Sequence, residues 1–426
     1  MSPSPESSPP ESSPPEPSSP ERAAKDIPSW LTLLLASACG LIVANNYYAQ
    51  PLVGPISAAV GLSAHASGFI VTVTQLGYGV GLLLVVPLSD LLENRRLIAA
   101  ITGLATFALV AAGLADSAST FLVAAFCIGL GSVAVQILIP YAAHFAPQAS
   151  RGRVVGNVMS GLMLGIMLAR PISSFIAHAF GWHAVFFLSA LMTGGMATIL
   201  LLILPPRRPI VRLAYGGILA SMAQLFLGTA LLRRRAWYQA CLFGAFSLFW
   251  TTTPLLLASP AFGLSQQGIA WFALAGVAGT IAAPVGGRLA DRGWSQPVTG
   301  LAIALAALAF PLTLLFPPAR EGVAGSPLAL AALVASAIIL DCGVSASLIM
   351  GQRAIFALGE EIRGRLNALF VASLFIGGAA GSALGGWAFA SGGWPLAAGL
   401  GFALPCLAFL AYLTEFRRKD KAPQKS

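Results

Sequence analysis

Charge is what this sequence has least of. Asp, Glu, Lys and Arg together make 9% of the 426 residues, while 57% are hydrophobic. Soluble domains carry about a quarter charged residues, so a water-soluble globule of this length is excluded and a polytopic membrane protein remains. Grouped metal ligands are also lacking. Cys39, Cys127, Cys241, Cys342 and Cys406 fall one to an apolar segment with no CxxC pair, and His65, His144, His178 and His183 are equally scattered. Metal centres draw on grouped ligands, and a disulfide framework or redox motif needs paired cysteines, so none is expected. No nucleotide-binding loop, catalytic cluster or sizeable soluble module occurs. Neither a cofactor, an ATP-driven step nor an enzymatic activity is therefore expected, and a membrane sensor is the remote alternative.

Apolar runs of about 20 residues are what the chain has in abundance, each long enough to cross roughly 30 Å of hydrocarbon as helix. They fall near 30–50, 66–88, 97–115, 119–145, 154–179, 183–204, 237–258, 267–289, 297–316, 327–350, 366–390 and 395–416, which makes twelve spans. The basic residues alternate with them. Arg95 and Arg96 follow the second span, Arg151 and Arg153 the fourth, Arg207, Arg208, Arg212 and Arg233 to Arg235 the sixth, and Arg353, Arg363 and Arg365 the tenth. Basic loops stay on the cytoplasmic side, so both termini are expected there, in a plasma membrane (the inner membrane if the source is bacterial). The same distribution explains the net charge of +9 without nucleic acid.

Residues 1–28 are Pro/Ser/Glu repeats that cannot bury enough surface to offset ordering entropy. They are read as a disordered cytoplasmic tail rather than a signal peptide. The remaining divisions are a six-helix bundle over 29–204, a cytoplasmic linker over 205–236, a second bundle over 237–416 and a short tail over 417–426. Within the linker, 213–232 is apolar enough to span, yet Arg212 and Arg233 flank it. A helix lying along the interface keeps both arginines on one side.

The halves repeat each other. "RGRVVGNVMSG" at 151 and "RGRLNALFVAS" at 363 are 212 residues apart, and "GW" at 181 and 393 has the same offset. "SDLLENRR" at 89 and "LADRG" at 289 follow the second span of each half, and "YYAQPL" at 47 matches "TTTPLL" at 251. A duplicated six-span unit implies two bundles around a pathway with its site near mid-membrane.

On these motifs the chain resembles the major facilitator superfamily from about residue 29 to 416. "PLSDLLENRR", with Asp90, Arg95 and Arg96, is similar to that superfamily's Gly-x-x-x-Asp-Arg-x-Gly-Arg-Arg signature, and "GRLADRG", with Gly287, Asp291 and Arg292, is a closer copy. The resemblance implies an all-α fold of twelve transmembrane helices in two pseudo-symmetric six-helix bundles. It also implies that these residues latch one side of a monomeric carrier during alternating access. The fifth span resembles the glycine-rich signature of the drug:proton antiporters: Gly156 and Gly165 keep its nine-residue step, with Ala169, Ser173 and Ser174 where small residues are expected for helix packing. Arg170 replaces the signature's proline, and Ala125 stands where that pattern has an arginine in the fourth span.

Well inside the spans the only charges are Arg170, in "LMLGIMLARPISSFIA", and Asp341, in "AIILDCGVSASLIM". At 1.5 Å per helical residue, counting from Arg153 and Arg353, they lie roughly 25 Å and 18 Å deep. A buried charge at such depth costs about 2.5–3.5 kcal/mol on insertion scales and tends to face an interior cavity. Both are expected in the central pathway, with Asp341 carrying a proton and Arg170 anchoring cargo or restraining that carboxyl; a permanent structural ion pair is the other reading. Asn45, Asn46, Tyr47, Tyr48 and Gln50 of the first span gather at similar depth but cannot all face the pathway. Asn45 and Tyr48 are expected there with Gln75, Gln136 and Trp250, Gln75 and Gln136 being divided between substrate contact and interhelix hydrogen bond. Secondary active transport follows, as proton-coupled efflux of small amphiphilic compounds or, in the alternative, as uptake by symport or uniport.

Overall fold

The computed structural model describes residues 28–148, 150–209, 214–279, 294–316 and 326–419. Among the described residues every regular element is helical, and nine helices are long and apolar enough to cross a membrane. Twelve spans result once three interruptions are counted. The longest helix, Arg363–Lys419, leaves helical geometry at Gly392 (φ −144°, ψ 18°) and Gly393 (φ 63°, ψ −159°), so two spans run back to back within it. The eighth span begins as Gln266–Ala273 and Ala275–Gly279, and its continuation lies outside the described residues.

The first span is broken as well. It runs as α1 (Ser29–Ala44), a turn of 3-10 helix over Gln50–Leu52, and α2 (Val53–Val60), ending at Gly61 with φ 73°. Pro51 has no N–H to continue an α-helical ladder, and the break is tolerated because neighbouring helices surround it. The expected limit of 30–50 therefore falls short: Pro51 interrupts the span without ending it.

In chain order the others are α3 (Phe69–Leu84), α4 (Asn94–Gly113), α5 (Ala118–Ser132), α6 (Ala134–Phe145), α7 (Arg151–Phe180), α8 (Trp182–Ile203) and α9 (Tyr215–Gly228). After them come α10 (Ala230–Ala258), α11 (Gln266–Ala273), α12 (Ala275–Gly279), α13 (Ser295–Leu315), α14 (Pro327–Phe356) and α15 (Arg363–Lys419). The helix in the linker, α9, has 14 residues, too few to span. It lies across the end of the molecule that carries Arg95 and Arg365. There Tyr215 Oη donates to the Leu84 carbonyl at 2.6 Å, and Arg365 Nη1 donates to Ser221 Oγ at 3.2 Å.

Small residues hold each half together, and they do so twice in the same way. A Cβ at Gly161 or Gly165 on α7 would collide with the backbone of Ala36 or Gly40 on α1. In the second half a Cβ at Gly377 or Gly381 on α15 would collide with the backbone of Ala240 or Gly244 on α10. Backbones approach this closely only where the side chains are minimal. Both contacts use a pair of small residues four apart, one helical turn, on each helix. The duplication read from loop motifs is thus repeated in the packing.

The two halves meet along a seam. On one flank α3 packs against α15, where Thr72 Oγ1 donates to the Ala379 carbonyl at 3.1 Å and shares a 2.8 Å hydrogen bond with Ser382 Oγ. On the other, α7 meets α11, with the rings of Phe175 and Trp271 5.3 Å apart edge to face. The candidate site lies between these flanks.

Candidate functional site

Arg170 points inward because of its register on α7. The face of that helix formed by Leu162, Ala169, Arg170, Ser173 and Ser174 is buried, while Leu164 and Ile172 on the other face are exposed. Arg170 as a whole is only 3% exposed. Nε donates to Gln50 Oε1 at 2.7 Å. Three rings crowd the guanidinium carbon: Trp250 at 4.3 Å, Phe246 at 4.9 Å and Tyr47 at 5.4 Å from their centroids. A desolvated cation over an aromatic face gains about 2 kcal/mol or more, which offsets part of the cost of burying it.

Asp341, on α14, is 5% exposed and accepts a hydrogen bond from Trp250 Nε1 at 3.0 Å. It makes no direct ion pair with Arg170; the indole stands between, its face to the cation and its N–H to the carboxylate. The charges still act on each other. Arg170, Gln50 and Tyr47 belong to the first half, and Phe246, Trp250 and Asp341 to the second, so the cluster straddles the seam. Gly276 on α12 closes one side: a Cβ there would stand 2.7 Å from Trp250 Cζ2 and 2.9 Å from Asp341 Oδ2.

Two other expected polar residues also bridge the seam. Gln75 Nε2 donates to Ser247 Oγ at 2.8 Å. Gln136 Nε2 donates to Tyr78 Oη at 3.1 Å, and its Oε1 accepts from Asn367 Nδ2 at 3.5 Å. Asn45 and Tyr48 lie elsewhere. Asn45 accepts from Ser189 Oγ at 2.6 Å and donates to Thr193 Oγ1 at 3.4 Å, tying α1 to α8 inside the first half. Tyr48, half-buried, lines a lateral groove of about 1100 Å³ between α1 and α7 that also carries Arg153 and Met192. Residues 45 and 48 share one helical face and 47 and 50 another; the sequence shows the two faces without showing which one turns inward. Tyr47 and Gln50, legible at that depth, thus take the place expected of Asn45 and Tyr48, whereas Phe246 and Gly276 were missed. Phe246 stands one turn before Trp250, a spacing that could have paired them.

The charged loop differs from its expected form. Arg95 and Arg96 do not pair with Asp90; Glu93 holds both, at 3.3 Å and 3.0 Å, and Arg95 Nη1 also donates to the Leu204 carbonyl at 3.4 Å. The charges acting on Asp90 are Arg365, from the second half, and Arg207. A nearer anion in the same loop captures the two arginines. Asp291 and Arg292 lie outside the described residues, as do residues 1–27. Of the glycine step, Gly165 packs against Gly40 beside the buried Ala169, whereas Gly156 is exposed with nothing near it. Gly161 makes the second close approach instead.

A family model described as Major Facilitator Superfamily matches residues 35–325. The putative uncharacterized transporter YgaY of Escherichia coli K12 is 38% identical over 392 residues, covering 92% of this chain and 97% of its own. A probable transporter of Streptomyces coelicolor, SCO4007, is 32% identical over 85% of this chain and 82% of its own. The purine ribonucleoside efflux pump NepI of E. coli K12 is 22% identical over 67% of this chain and 72% of its own. Among solved structures, a mutant of the nucleoside transporter NupG superposes with a TM-score of 0.72 at 15% identity, over 90% of this chain and 99% of that one.

Proposed function

The chain belongs to the major facilitator superfamily, and from that premise we propose that it exports small amphiphilic solutes by proton-coupled alternating access, as the drug:proton antiporters it resembles do. The observation that carries the proposal is the buried relay Arg170–Trp250–Asp341, assembled from both halves at the seam. Rocking one half against the other must part Arg170 from the indole and its carboxylate. With Asp341 ionised, the cation and the carboxylate hold the halves together through the indole. A proton on Asp341 removes that attraction, so protonation and movement are linked through one side chain. The likeness to the purine ribonucleoside efflux pump NepI supports the outward direction.

Both termini and α9 are proposed to face the cytoplasm, in a bacterial inner membrane, with the chain working as a monomer. Arg365, whose charge acts on Asp90 across the seam at the α9 end, is proposed to form the latch with it on that side, and Asp291 and Arg292 are proposed to take the matching place in the second half. Gln75 and Gln136 are proposed to line the pathway with the relay.

The test is Asp341→Asn in proteoliposomes with an imposed pH gradient and a panel of labelled amphiphiles. Proton-driven movement is expected to vanish while exchange of solute for solute persists. Unchanged dependence on the gradient would reject the proposal.

A further inference from the structure

Among the described residues, two donors at the centre of the relay have no acceptor. Arg170 Nη2 and Gln50 Nε2 are buried and make no hydrogen bond, although Arg170 Nε and Gln50 Oε1 are joined at 2.7 Å. That bond keeps the two side chains together and leaves each with an unused N–H. A buried donor without a partner is costly, more so when it is charged, and both of these are donors alone. What the site lacks is therefore a pair of neighbouring acceptor atoms. Trp250, Phe246 and Tyr47 crowd the guanidinium carbon, so a ligand meets an N–H edge rather than an open ring of positive charge.

Charge decides which acceptors suit it. Asp341 already balances Arg170 across Trp250. A carboxylate on Arg170 would leave the buried cluster one negative charge in excess unless Asp341 took up a proton. Anion and proton would then travel together, the opposite of export driven by proton entry. An uncharged ligand leaves the balance intact and Asp341 free to carry its proton in the other direction.

We propose that the site takes uncharged solutes with a flat ring presenting two adjacent hydrogen-bond acceptors on one edge, received by Arg170 Nη2 and Gln50 Nε2, with the ring face against Phe246 and Tyr47. The inference rests on the transport reading and specifies the cargo. It excludes organic anions and cations as preferred ligands. The pairing resembles the way a forked donor reads the O6/N7 edge of a 6-oxopurine, which makes such an edge a suitable probe.

Equilibrium binding to the purified full chain tests it, with inosine, 7-deazainosine (which lacks the N7 acceptor) and 2-naphthoate as probes. Inosine is expected to bind about tenfold more tightly than 7-deazainosine, the worth of one hydrogen bond to a buried polar group. In Gln50→Met that difference should collapse, and Gln50→Glu, which substitutes an acceptor for the donor, should lose inosine altogether. A thermal melt of each variant separates lost binding from lost folding; were Gln50→Met unfolded, the comparison of the three probes on the wild-type chain would still decide. Equal affinity for inosine and 7-deazainosine, tighter binding of 2-naphthoate, or no binding of inosine overturns the inference. Transport is read separately. Should a pH gradient drive only solutes without the acceptor pair, through Asp341, the transport reading stands and this inference falls. Inosine bound in the expected pattern but never moved by the gradient gives the converse.

Discussion

The indole of Trp250 has a π face and an N–H edge, and this protein uses both, one toward Arg170 and the other toward Asp341. Trp250→Phe keeps a ring but removes the donor, leaving a buried carboxylate with one hydrogen bond fewer, a loss of about 1.5–3 kcal/mol for a bond to a charged group. Transport by the purified variant in vesicles is expected to fall at least tenfold with the chain still folded, and an unchanged rate would show that the bridge is idle. Gly276→Ala should act from the other side. Its methyl must displace Trp250 or Asp341, and such overpacking costs about 1–3 kcal/mol; weaker solute binding with unchanged expression is the expected result. Depth counting placed Arg170, Trp250 and Asp341 near one level because helical rise is uniform. It gave no azimuth, and for that reason Asn45 and Tyr48 were expected where Tyr47 and Gln50 are found. The bridging use of Trp250 was not legible either: two opposite charges within reach can meet directly or through water, and only packing reveals a ring between them.

At the level of elements, close backbone approach sets the register of α1 on α7 and of α10 on α15. Gly165→Leu would force those helices apart and is expected to lower the melting temperature in detergent by several degrees, whereas Gly156→Leu, facing open space, should leave it unchanged. Equal melts for the two variants would contradict the packing described. A nine-residue step in the sequence suggested Gly156 and Gly165 together; the helix turns far enough between them to bring one to α1 and leave the other exposed. The loop after the second span carries a similar lesson. Its Asp and Arg types were legible, but Glu93 stands nearer in sequence to Arg95 and Arg96 than Asp90 does, and the shorter loop costs less chain entropy to close. Asp90→Asn is expected to weaken the latch toward Arg365 and speed exchange of solute at low ionic strength. High salt, which screens exposed charges, should erase the difference between variant and parent.

For the molecule as a whole, span length and the alternation of basic loops made the fold class legible, because crossing hydrocarbon imposes a length and a continuous backbone ladder on every segment. Interruptions were harder to read, since a proline or glycine pair reports a break without saying whether the span resumes. The seam was legible only as a plane between repeats. Its contacts now allow a direct test of rocking: Thr72 and Ser382 stand hydroxyl to hydroxyl across it. A double variant with cysteine at both positions should lose transport on oxidation and recover it on reduction, and transport that continued through oxidation would exclude relative motion at that flank. At the corners between fifth and sixth spans both halves reverse direction through a glycine at positive φ, Gly181 at 82° and Gly393 at 63°, each followed by a buried tryptophan, Trp182 or Trp394. So abrupt a reversal leaves no slack ribbon to snip or lengthen. Epitope tags inserted there should cripple the carrier, and a protease reaching those two hairpins should find them uncuttable.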